Sequence, residues 1–112
     1  MQLLVLILKN NSLVEVLIKK LAKSGVRGGT ILDGTGMAQE LMNMEDLPIF
    51  GMLRALLADE NKVTSKVMLF ALKDEQVAEI RGIIKNLIGS LDEPNTGIMF
   101  SVPINGVEGL GE

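Results

Sequence analysis

The chain has no cysteine, histidine, tryptophan or tyrosine among its 112 residues. Each absence removes a class of chemistry. Without cysteine there are no disulfides, thiolate nucleophiles or thiolate zinc sites. Without histidine the commonest general base and metal ligand is missing. Three Phe are the whole aromatic inventory, so almost no surface exists on which nucleobases could stack. Lys and Arg number 11 against 14 Asp and Glu, and a net charge of −3 argues against nucleic acid as a partner. An enzyme would have to work with carboxylates, lysine or hydroxyls alone. Glu40, Glu45, Asp46, Asp59 and Glu60 stand at no spacing that defines an acid–base or metal pair, and are read as solvating helix ends. Asp92, Glu93 and Asn95 lack the alternation of a calcium loop. The expectation is a protein that is not an enzyme, with no catalytic residue, no metal and no obligatory cofactor.

Long hydrophobic runs are also missing. Leu3 to Leu8 is too short to span a bilayer, and no basic residue precedes it. It is read as a strand, which predicts a cytoplasmic protein with no direct membrane insertion. What remains is a globular composition, 47% hydrophobic and 22% charged, sufficient for a single domain over 1–112 with a modest core.

Taken in order, Gln2 to Lys9 reads as a strand with Leu3, Val5 and Ile7 on one face and Leu4, Leu6 and Leu8 on the other. Ser12 to Glu15 matches a capping box that opens a helix running to about Ser24. Its stripe is Leu13, Val16, Leu17 and Leu21, and Gly25 closes it. Thr30 lies in a short second strand, about Gly29 to Asp33, and Gly34-Thr35-Gly36 lets the backbone bend sharply.

A long connection, 37–64, follows. Met37 to Met44 has a helical pattern. Asp46 as N-cap and Pro48 in the first turn predict a second helix over about 46–58. Ile49, Phe50, Met52, Leu53, Leu56 and Leu57 make that helix apolar over most of its surface, so it needs a partner surface, inside the domain or on another protein.

Ser65 to Lys73 is the third strand, again apolar on both faces. Asp74 is expected to cap a helix with stripe Val77, Ile80, Ile84 and Leu87 that ends at Gly89. Ile98 to Val102 is the fourth strand, and the glycine-rich tail offers Val107 and Leu110 as anchors.

The order β-α-β, connection, β-α-β predicts an α+β, ferredoxin-like split βαβ fold: a four-stranded antiparallel sheet with two helices on one face. Two helices cover one side of such a sheet, yet the first and third strands are apolar on both. The uncovered side therefore predicts a homo-oligomer.

With these elements placed, the sequence resembles the P-II nitrogen-regulatory signalling family. Three patches carry the resemblance: Gly25 to Ile31 running on to Gly34-Thr35-Gly36, the strand and helix from Lys66 to Ile84, and Thr96 to Val102 with a terminal Gly111-Glu112. The resemblance implies a homotrimer with its sheets facing inward. It implies an effector, such as an adenine nucleotide, held between subunits by Gly28, Gly29, Thr30, Gly34, Thr35 and Gly36 with Thr96 and Gly97 facing them. It makes 37–64 the family's T-loop, which engages a membrane transporter or a metabolic enzyme. Departures are also plain. Gly97 stands where nucleotide-binding members carry Lys, and the run from Gly106 to Glu112 has no basic residue. The alternative is a trimeric assembly module without a ligand that uses Pro48, Ile49, Phe50, Met52, Leu53, Leu56 and Leu57 as a fixed interface.

Overall fold

The computed structural model describes residues 1–9, 11–42, 65–89 and 96–110. Strand β1 (Gln2–Leu8) is followed by a 3-10 turn (Asn11–Leu13), helix α1 (Val14–Lys23), strand β2 (Thr30–Gly34) and a short helix α2 (Met37–Met42). Then come strand β3 (Ser65–Leu72), helix α3 (Asp74–Ile88) and strand β4 (Gly97–Pro103). The sheet order is β2-β3-β1-β4, with every neighbour antiparallel. This is the split βαβ, ferredoxin-like arrangement that the order of sequence patterns predicts.

Register fixes the faces, because residues directly opposite each other in an antiparallel pair share a side. Leu4, Leu6 and Leu8 pair with Phe70, Met68 and Lys66 of β3, and so point toward the helices. All three leucines are fully buried, with Met68, Phe70 and Leu72 beside them. Leu17 and Leu21 of α1, with Val77, Ile80 and Ile84 of α3, close this core from above.

The local signals around the helices are only partly realised. The α-helical turns of α1 begin at Val14 with Leu13 in the capping position, and no side-chain cap bond is made there. The Ser12–Glu15 box is therefore not the start of the helix. The chain enters through the 3-10 turn, and Glu15 instead meets Lys19 one turn on, at 3.3 Å. Val16, expected in the buried stripe, is exposed, while Leu13 packs against the core as expected and Val14 joins it.

At α3 the capping residue is Lys73, in extended conformation, and Asp74 falls in the first turn. The Gln76 Oε1 accepts from the Lys73 amide at 3.1 Å, the reciprocal half of a capping box. Gly89, at φ 85°, ends α3 in the left-handed region where glycine is favoured. The predicted helix over 46–58, with its apolar residues from Pro48 to Leu57, lies outside the described residues, as do residues 90–95 and the terminal Gly111-Glu112.

Candidate functional site

The effector residues expected from sequence sit at three corners of the sheet. Gly28, Gly29 and Thr30 stand where β2 begins. Gly34, Thr35 and Gly36 stand where it ends, about 13 Å away at the ordinary rise of a strand. Thr96 and Gly97 begin β4, on the opposite edge. Gly34 pairs with Ser65 of β3, while Leu8 of β1 pairs with both Lys66 and Gly97. The glycine turn and Gly97 thus share one end of the sheet but lie three strand spacings apart, about 14 Å. One chain does not bring them together.

Their glycines also differ in what the fold asks of them. At Gly97 (φ 155°) a Cβ would overlap the Ile7 carbonyl oxygen. At Gly29 it would lie 2.6 Å from the Phe70 ring, and at Gly34 3.0 Å from Val67 Cγ2. Among the described residues nothing comes within 4 Å of a Cβ at Gly28 or Gly36, and neither has a left-handed φ. The Gly36 carbonyl accepts from the Glu40 amide at 3.1 Å and so opens α2. On the edge strand, Asp33 and Lys66 form an ion pair across β2 and β3.

The second feature is the sheet face turned away from the helices. β1 presents Leu3, Val5 and Ile7 there. Paired against them are Ala71, Leu69 and Val67 of β3. Val102, Phe100 and Ile98 of β4 stand on the other side. β2 adds Leu32 opposite Val67, and Thr30 opposite Leu69 as the polar member of the set. Val5, at the centre between Leu69 and Phe100, is only 8% exposed. Toward the edges the face is open: Ile98 is 57%, Leu32 49% and Phe100 42% exposed. A continuous apolar face of this kind marks a contact surface.

The third feature is a cleft of about 770 Å³ at the Thr30 end of the sheet. Its floor includes Leu3, Leu69 and Ala71 from the open face. Segment 25–30 forms one wall, Lys73 and Gln76 at the start of α3 another, and Gly109 with Leu110 of the tail the rim. Leu110 is thus a rim residue and, like Val107, is exposed instead of anchored in the core. Sequence patterns single out Gly28, Gly29 and Thr30 but not Arg27, Lys73 or Gln76 as their neighbours. No local pattern announces that α3 begins beside the start of β2; the strand order alone puts them there.

Among the described residues no group of three acidic side chains could hold a metal ion, and no helix is long and apolar enough to cross a membrane.

No family model and no curated protein matches the chain. Among solved structures it is similar to the crystal structure of a functionally unknown protein from Pediococcus pentosaceus, with a TM-score of 0.61 and 19% identity over 96% of this chain and 94% of that one. At that identity the likeness speaks to the fold.

Proposed function

We propose that this protein is a P-II-like signal-transduction protein of the cytoplasm, a homotrimer assembled through its open sheet faces. It senses a small effector, such as an adenine nucleotide, between subunits, and through segment 37–64 regulates a transporter or metabolic enzyme. The observation that carries the assembly is the apolar face of β1, β3 and β4. Completing the burial of each half-exposed Ile or Phe on it is worth about 1 kcal/mol, and these contributions accumulate over the face.

Assembly would also supply what one chain lacks for an effector site. Gly34 to Gly36 and Thr96-Gly97 lie on opposite edges of the same sheet end, so a neighbouring subunit can bring one group to the other. Gly36 supports this use, because nothing among the described residues excludes a side chain there.

A specific observation favours the second reading, a trimeric module without a ligand. The described part of the tail and Gly97 supply no cation where nucleotide-binding P-II proteins have one, and phosphates are normally neutralised by cations.

Sedimentation velocity with a thermal-shift series in ATP and ADP separates the readings. A trimer whose melting temperature rises with nucleotide, and whose Gly36→Val variant stays trimeric but loses the rise, supports the sensor. A trimer indifferent to nucleotide supports the module. A monomer removes both.

A further inference from the structure

The cleft at the Thr30 end of the sheet has a charge pattern that the proposed function does not use. The chain as a whole is acidic, at −3, yet among the described residues no Asp or Glu lines this cleft, while Arg27 and Lys73 do. Neither cation has a carboxylate partner among the described residues. Asp74, the acid next to Lys73, is taken up by the terminal ammonium of Met1 at 3.2 Å. Arg27 and Lys73 come from different elements, the turn after α1 and the start of α3, and the fold brings them to one cavity.

We propose that this cleft binds a phosphate monoester carried on an apolar body. The cavity of about 770 Å³ falls within the range of small-molecule pockets. A phosphate monoester carries between one and two negative charges near neutrality, which matches two unpaired cations better than a single carboxylate does. Gln76 spends its carbonyl oxygen on the Lys73 amide, so its NH2 group is left to donate to the phosphate. Thr30 adds a hydroxyl to the same lining. Leu3, Leu69 and Ala71 are the apolar floor on which the rest of the ligand lies, and Leu110 closes the rim. Gly28 fits this use too. Its backbone does not require glycine and nothing crowds it, so a missing side chain there leaves the wall beside Arg27 open.

The proposal does not need the assembly, since every group it uses belongs to one chain, but Leu3, Leu69 and Ala71 lie on the face through which the proposed trimer forms, so ligand and neighbouring subunit compete for that floor. The test is isothermal titration of the full-length protein with naphthyl phosphate, naphthol and inorganic phosphate. Naphthyl phosphate should bind once per chain, with naphthol and inorganic phosphate each weaker by about tenfold or more. The double variant R27A/K73A should lose about tenfold for naphthyl phosphate and nothing for naphthol, with circular dichroism unchanged because both side chains are exposed. Should the double variant not fold, R27Q and K73Q taken singly should each lose about threefold.

Absence of naphthyl phosphate binding, equal binding of naphthol, or wild-type affinity in the folded variants would overturn the proposal. Tight binding of inorganic phosphate alone would overturn the apolar half of it. Sedimentation of the same samples keeps the two ideas apart. A monomer that binds naphthyl phosphate through Arg27 and Lys73 leaves the cleft standing while the assembly falls. A trimer that does not bind it leaves the assembly standing while the cleft falls.

Discussion

Gly28 and Gly97 are the same residue type under opposite constraints. Gly97 starts β4 against β1, where a methyl group would run into the Ile7 backbone, and backbone cannot swing aside as a side chain can. Gly97→Ala should therefore destabilise the fold by about 1–3 kcal/mol, the usual range for overpacking. Gly28→Ala has room, and should leave stability unchanged or raise it by up to about 1 kcal/mol by restricting the unfolded chain. Urea denaturation of the two variants side by side checks this. Equal losses would mean that the crowding at Gly97 is relieved by a small shift of β4. Both glycines stand in sequence patterns that point to an effector. Only the packing around them separates a glycine the fold requires from one it does not.

Among the elements, α3 shows how a cap can be displaced by one residue and still work. Asp74 is the better capping residue by type, but the strand before it runs through Leu72, and the extended Lys73 takes the position. Gln76 then reaches back to the Lys73 amide at 3.1 Å. Gln76→Ala should cost about 1 kcal/mol, read as a lower urea midpoint at unchanged m-value. Helix α1 makes the same point from the other side. The Ser12–Glu15 spacing is right for a capping box, but Ser12 lies within the 3-10 turn, Leu13 takes the capping position of the α-helix, and Leu13 and Val14 turn toward the core.

For the molecule taken entire, the open sheet face is the feature with the largest consequence. Two substitutions on that face should behave differently. Phe100, 42% exposed in the single chain, can accept a carboxylate that stays in water, so Phe100→Asp should yield a folded monomer if copies meet there. Val5, 8% exposed between β3 and β4, cannot keep a carboxylate hydrated, so Val5→Asp should unfold the chain itself. Sedimentation velocity with far-ultraviolet circular dichroism distinguishes the two. A Phe100→Asp protein that sediments as the wild type does would place any subunit contact elsewhere.

Among the described residues, the four strands and the two long helices, and most of the side chains that enter the core, were legible in the chain alone, Val16 being the exception. Alternation at Leu4, Leu6 and Leu8 and helical spacing at Val77, Ile80 and Ile84 are local signals, written within a few residues of each other. The doubly apolar strands also foretold a sheet with an apolar face turned away from α1 and α3. Which loops become neighbours was not legible there and came only with folding. The order β2-β3-β1-β4 sends Gly34 and Gly97 to opposite edges and brings Arg27 and Lys73, residues 46 positions apart in sequence, to one cleft. Strand pairing is a long-range choice, made by the burial of whole faces and the register of backbone hydrogen bonds, and no short motif records it.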